Sequence, residues 1–181
     1  MILTTERLLL REFVAEDWPA ILAYQSDPRY LRYYEWTGRT PEEVQQFLQM
    51  FVAQQAEQPR RKFQLAAVLR SDGRLIGNCG IRLKTADARE GDIGYEFAPD
   101  EWGKGYATEA AHAIVGFGFG ELGLHRIWSW CIAENAGSWH VMEKLGMRRE
   151  GQLRENEWFK GRWWDTFVYG ILEHEWKMRE Q

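Results

Sequence analysis

The sequence predicts a mixed α/β domain: a central mixed sheet of about six to seven strands, with about four helices on both faces. Three observations lead there. Strand-like and helix-like segments alternate along the chain; the stretch Gly91 to Ala111 (GDIGYEFAPDEWGKGYATEAA) reads as strand, glycine loop, helix; and 181 residues with no repeat, low-complexity tract or linker fit one domain spanning 1–181.

Arg7 to Phe13 reads as a first strand. Helix-favouring sequence follows from Glu16 to Ser26, with Pro19 tolerated in its first turn, and Asp27-Pro28 ends it. Tyr30 to Trp36 is aromatic and irregular. Thr40-Pro41-Glu42-Glu43 then supplies an N-cap, a first-position proline and a capping-box acid for a helix to about Ala56. Phe63 to Leu69 and Leu75 to Leu83 are strands joined by the turn Ser71-Asp72-Gly73. In the next strand Ile93, Tyr95 and Phe97 alternate with Gly94 and Glu96, so it ends near Ala98. Helix formers begin at Thr108, with Ala110, Ala111, Ile114 and Val115 at helical spacing. His125 to Ile132 is a strand, Gly137 to Leu145 a helix stopped by Gly146, and Met147 to Leu153 and Trp163 to Leu172 are two last strands around a loop at Asn156 to Gly161.

Composition narrows the function. With 45% hydrophobic and 28% charged residues the chain is globular, and a net charge of -4 argues against nucleic acid as a direct partner, which needs a concentrated basic face. Arg60, Arg61 and Lys62 read as a solvated loop before a strand. Cys79 and Cys131 lie in apolar strand-like runs and read as free, reduced and buried; His112, His125, His140 and His174 form no ligand pattern, so no metal is expected. The N-terminal stretch lacks the apolar run of a signal peptide and no later segment approaches a membrane span, so the expectation is a cytoplasmic protein with no membrane partner.

The glycine loop carries the functional signal. A helix N-terminus offers unpaired N–H groups and a positive dipole end, and Gly103, Gly105 and Ala107 are small enough for an anion to approach. No GxxxxGK string followed by Ser or Thr exists. A dinucleotide fingerprint fails as well, because Thr108 stands where Gly or Ala belongs and the strand about 20 residues on offers no acid between Arg126 and Trp130.

The segment resembles motif A of the GNAT superfamily of acetyl-CoA-dependent acetyltransferases, whose pattern is Arg or Gln, two residues, Gly, one residue, then Gly or Ala. Here Trp102 stands at the Arg/Gln position, followed by Gly103, Lys104, Gly105, Tyr106 and Ala107. The opening TERLLLREF with EDW, the NxxS segment with EKLGM, and the closing KGRWWDTFVYGILEHEW extend the resemblance over nearly the whole chain, toward ribosomal-protein N-terminal alanine acetyltransferases of the RimJ/RimL type. The resemblance implies the GNAT fold and an acetyl-CoA cofactor held by Phe97, Ala98, Trp102 to Thr108, Asn135 and Ser138, with CoA as product and no metal. It also leaves a homodimer open.

Acetyl transfer from a thioester to an amine requires that the amine lose a proton, the oxyanion find donors and the thiolate receive a proton or hydrogen bond. By resemblance, backbone N–H groups near Phe97 and Ala98 serve the oxyanion, Ser138 serves the thiolate, and Asn135 fixes the pantetheine arm or the nearby chain. Asn135 and Ser138 are also preferred helix caps, and the cap alone is the alternative. For the base, Glu96 stands first, Asp92 and Glu35 behind it, with a water chain as the other option. Tyr33, Tyr34, Glu35 and Trp36 form one wall of the acceptor site by resemblance, with Trp158 and Tyr169 as candidates for another; Trp128 and Trp130, alternating with Ser129, read as packing. The expected activity is acetyl transfer to a primary amine, with a protein N-terminus, a small molecule such as a polyamine, amino acid or aminoglycoside, and a non-catalytic acyl-CoA sensor all kept open.

Overall fold

The computed structural model describes residues 1–179. Eight strands form one sheet: β1 (Ile2–Thr4), β2 (Leu8–Glu12), β3 (Lys62–Leu69), β4 (Leu75–Arg82), β5 (Glu90–Phe97), β6 (Arg126–Ile132), β7 (Arg148–Phe159) and β8 (Arg162–Leu172). Their order is β1-β2-β3-β4-β5-β6-β8-β7, antiparallel throughout except for β5 with β6. The helices are α1 (Trp18–Gln25), α2 (Pro28–Leu31), α3 (Pro41–Gln54), α4 (Tyr106–Gly120), α5 (Ala136–Lys144) and α6 (Glu173–Arg179). The mixed α/β class holds; the counts of strands and helices are higher than expected.

Both faces of the sheet are covered, which is why β3 is buried at every position from Gln64 to Leu69. Leu65 and Ala67 pack with Ile81, Ile93 and the α4 residues Ala110, Ile114 and Val115; Ala66 and Val68 face the other way, against Ile21 of α1 and Val44 and Leu48 of α3. The expected apolar stripe of α4 is therefore the centre of the larger core.

Differences from the sequence reading are local. Asp27 does not only end α1: its side chain accepts from the Arg29 N–H and starts α2, so the aromatic segment begins helical. The motif A helix starts at Tyr106, two residues before the expected start at Thr108. Strand β7 runs on through two register shifts to Phe159, and Lys160-Gly161 alone turn into β8, so most of the expected loop at Asn156 to Gly161 is strand. Arg60 is not a solvated loop residue; it pairs with Glu12 at 2.6 Å, and Lys62 is already in β3. Cys79 and Cys131 are free and buried.

The capping box at α3 is present in both halves: Thr40 Oγ1 accepts from the Glu43 N–H at 3.2 Å, and the Thr40 N–H donates to Glu43 Oε2 at 2.8 Å. Thr40→Ala should cost about 1 kcal/mol of stability. A urea midpoint shift at unchanged slope measures it.

Candidate active site

Strands β5 and β6 pair in parallel only over Glu90–Asp92 and Arg126–Trp128, although each continues for several residues. Beyond that they part. Ser129 at the fork donates its hydroxyl to Ile93 O at 2.8 Å, satisfying a carbonyl that has lost its strand partner. On the β4 side Ala98 N–H donates to Ile76 O at 2.8 Å, so alternation of the antiparallel ladder turns the N–H groups of Tyr95 and Phe97 toward the gap. Ala98, expected to offer an N–H to an oxyanion, has that N–H bound to β4. The Phe97 N–H is the one at the strand end that is turned toward the gap.

The loop after β5 is held from three sides. Trp102, at the family's Arg/Gln position, donates its ring N–H to Phe97 O at 2.8 Å and ties the loop to the strand end. Lys104 pairs with the buried Glu101 at 2.9 Å. From just ahead of β2, Arg7 donates to Lys104 O at 2.9 Å, bonds Glu109 at 2.7 Å and lies 4.5 Å over the Tyr106 ring. Burial alone would raise the Glu109 carboxyl, but bonds from Thr5 and Arg7 outweigh it and hold the group below the ordinary carboxylate range. Gly103 and Gly105 have φ of +75° and +86°, the left-handed region, and a Cβ on Gly103 would meet nothing within 4 Å. At Gly103 the loop thus faces open space, while Arg7 Nη2 lies 3.3 Å from where a Cβ on Gly105 would be; the first N–H groups of the 15-residue α4, Tyr106, Ala107 and Thr108, have no intrahelical acceptor. A pyrophosphate fits this cradle.

Helix α5 closes the fork. Asn135 caps it, with its side chain accepting from the Ser138 N–H at 3.3 Å. The cap reading therefore holds for Asn135 and leaves the Ser138 hydroxyl out of it. That hydroxyl lies 3.3 Å from the Tyr95 hydroxyl, which donates to Ser138 O at 2.7 Å. Cys131 stands beside them, its thiol pushed up to about 11 by burial against an opposing bond from Ser138. The role of Tyr95 was not legible in the sequence, where it looked like one more core residue of a strand.

On the opposite face, Glu96 is the centre of a polar cluster. Its Oε1 accepts from Tyr24 at 2.8 Å, Gln25 at 2.9 Å and Asn78 at 2.6 Å; Oε2 accepts from the Tyr30 hydroxyl. Gln64 continues the chain to Asn78 at 2.6 Å. Burial first, then the Glu96 charge, pushes the Tyr24 and Tyr30 hydroxyls up, so both remain donors. Gln25, Asn78, Tyr24 and Tyr30 come from three elements distant in sequence, and no motif pointed to them. Of the other carboxylates considered, Asp92 is engaged by Arg82 at 2.5 Å and Glu35 is exposed.

Glu96 and Ser138 border one cavity of about 600 Å³, together with Tyr33, Tyr34, Glu35, Trp36, Trp158 and Asn135. Five of the six residues named for the acceptor walls, Tyr33, Tyr34, Glu35, Trp36 and Trp158, are brought together there. Tyr34 stacks on Tyr30 at 4.6 Å and on Trp36 at 4.8 Å; the β7–β8 hairpin, pinned by Lys160 Nζ to Leu31 O at 2.6 Å, carries Trp158 to the other side. Tyr169 does not join them. It is 2% exposed and donates to Glu143 at 3.3 Å on the α5 side. Trp130, expected as packing, is 47% exposed and lines the cavity, because α1 and α3 cover β3 and β4 but not β6. Among the described residues Gln25 Oε1 and Trp36 Nε1 are buried with no partner. Since a carboxylate only accepts, Gln25 must turn its amide N–H to Glu96 and leave the oxygen unpaired.

No helix of the described residues is long and apolar enough to cross a membrane. Residues 7–148 match the family described as Acetyltransferase (GNAT) domain. An uncharacterised N-acetyltransferase of Bacillus subtilis, YnaD, is 40% identical over 97% of this chain and 99% of its own length. The crystal structure of a GNAT-family acetyltransferase from Bacillus anthracis superposes with a TM-score of 0.84 at 34% identity, covering 96% of this chain and 99% of that one. A spermidine N-acetyltransferase from Vibrio cholerae, solved with CoA and spermine, gives 0.80 at 22% identity over 94% and 98%, a likeness of fold. Ribosomal-protein acetyltransferases share that fold as well. A glycine loop opening α4, a fork between β5 and β6, and a family match spanning both lead to one conclusion: the chain is an acetyltransferase of the GNAT family.

Proposed function

We propose that the protein transfers an acetyl group from acetyl-CoA to a primary amine by direct attack within a ternary complex, with a protein N-terminus as the first acceptor class to test. The observation that carries this reading is a single cavity bordered by both Glu96 and Ser138, beside the fork toward which the Phe97 N–H is turned. Acetyl-CoA supplies an activated acetyl thioester. The α4 N-terminus and the loop Gly103 to Ala107 hold its pyrophosphate, Asn135 holds the arm, and Phe97 N–H meets the negative charge that develops on the acetyl oxygen.

The amine arrives as a cation along aromatic faces, which favour it. A carboxylate has about four lone-pair directions. Three donors crowd Oε1 and one reaches Oε2, so the free lone pair of Oε2 takes the ammonium proton. Gln25 Oε1 and Trp36 Nε1 are the polar contacts left for the acceptor's body. Ser138 donates to the departing sulfur, with Tyr95 positioning it from across the fork. Cys131 is protonated at neutral pH, and since only a thiolate is a good nucleophile, an acyl-enzyme on this residue is disfavoured.

Thermal shift with acetyl-CoA, CoA, ATP and NAD in parallel tests the cleft. The two CoA compounds alone should stabilise, by about 2.7 kcal/mol at 100-fold excess over Kd. Gly105→Val, which forces a branched side chain into the left-handed region at φ +86°, should lose this shift while the apoprotein still unfolds cooperatively. Thiol release with an amine panel then separates an enzyme from a non-catalytic sensor, and intact mass separates peptide from small-molecule acceptors. Stabilisation by ATP equal to that by CoA would overturn the cofactor assignment.

A further inference from the structure

The floor of the acceptor cavity is made by β3, β4 and β5, and their register sorts its side chains into rows. Ala66, Asn78 and Glu96 form one row, Gln64, Gly80 and Gly94 the next, and Lys62, Arg82 and Asp92 the third. Successive rows lie roughly 7 Å apart along the strands. The middle row has two glycines: Gly80 makes room for Gln64 of the same row, and Gly94 for Arg82 of the next. A Cβ on Gly94 would lie 2.9 Å from Arg82 Nη2, so the guanidinium lies across Gly94, one row from Glu96.

The third row has two cations directly opposite each other and one carboxylate. Like charges opposite on a sheet repel. Asp92 answers Arg82 at 2.5 Å; among the described residues no carboxylate lies within ion-pair distance of Lys62. Lys62 and Arg82 both line the cavity, as does Glu96, while the remaining charged groups on its wall, Glu35 and Glu157, belong to the α2–α3 connection and to the hairpin. The floor is therefore bipolar: anionic at Glu96, with an uncompensated positive charge at the other end.

We propose that the acceptor carries a carboxylate as well as its amine, the ammonium at Glu96 and the carboxylate at Lys62 and the exposed side of Arg82. This rests on the transferase reading above and narrows it. A free amino acid and an acidic protein N-terminus share that chemistry. A polyamine does not, because its second cation would meet Lys62.

The test compares acids with their isosteric amides: 4-aminobutyrate against 4-aminobutanamide, and the peptide Ala-Glu-Ala-amide against Ala-Gln-Ala-amide, with spermidine alongside. In at least one pair the acid should exceed the amide at least tenfold in kcat/KM, and the pair that does so tells a small acceptor from an N-terminus. Lys62→Glu should bring that ratio below one. Arg61→Glu, the same charge change on an exposed neighbour outside this cavity, should leave the ratio as it is. A ratio near one in both pairs, a preference for spermidine over both acids, or a ratio indifferent to Lys62→Glu would overturn the proposal. If no amine is acetylated while acetyl-CoA binds, the transferase reading is what fails, and calorimetric titration of the same pairs into the CoA-loaded protein reads the acid-to-amide ratio as an affinity.

Discussion

Ser138→Ala is expected to lower kcat by about 10²- to 10³-fold, the usual contribution of a positioned proton donor, while the Kd for acetyl-CoA changes by less than about threefold. The structure makes the substitution clean. The cap of α5 is the Asn135 side chain receiving the Ser138 backbone N–H, so removing the Ser138 hydroxyl leaves the helix start intact. What goes is the group facing Tyr95 and Cys131 across the fork. Single-turnover rates and calorimetric binding of acetyl-CoA measure the two quantities on one sample. An equal loss in both would mean that Ser138 only holds the cofactor, and no loss in either would remove it from the mechanism.

Glu96→Gln should lower kcat/KM for the amine by about 10²-fold or more. The variant keeps the shape of the side chain and loses the anion on which Tyr24, Gln25, Tyr30 and Asn78 converge. A pH series distinguishes proton removal from mere positioning. If Glu96 takes the proton, the variant depends on amine that is already neutral, and its rate climbs about tenfold per pH unit below the amine's own pKa, more steeply than the wild type. Parallel pH profiles at a lower level would instead assign Glu96 to holding the acceptor. A water chain would then be the route for the proton. The variant must also be checked for fold, because glutamine keeps one accepting oxygen but its amide nitrogen cannot accept, and each donor stranded against it costs on the order of 1–3 kcal/mol; unchanged near-UV circular dichroism meets that condition.

How far the site was legible depends on the kind of residue. Groups set by local sequence could be read directly: Gly103 and Gly105 before a helix, Thr40 with Glu43, Asn135 ahead of α5. Glu96 could be read as facing away from the core because strand alternation opposes it to Tyr95 and Phe97. Its surroundings could not. Tyr24 and Gln25 are at the end of α1, Tyr30 is in α2 and Asn78 is in β4, and separations of 18 to 72 residues along the chain leave no periodic trace. Trp130 and Tyr169 show the same limit from the other side, since both are aromatic strand residues and only helix placement decides that one is exposed and the other sealed in.

The sequence by itself determined the mixed α/β class, the strand, glycine loop and helix of motif A, and the family, because each depends on residues near one another or on a pattern running the length of the chain. Only the tertiary structure decided where β5 leaves β6, which N–H that parting frees, which carboxylate collects donors, and how the rows of β3, β4 and β5 place Lys62 and Arg82 against Glu96. These are consequences of register and of which sheet face a helix covers. Both are fixed by packing among distant segments, and a one-residue slip would turn every side chain involved to the opposite face.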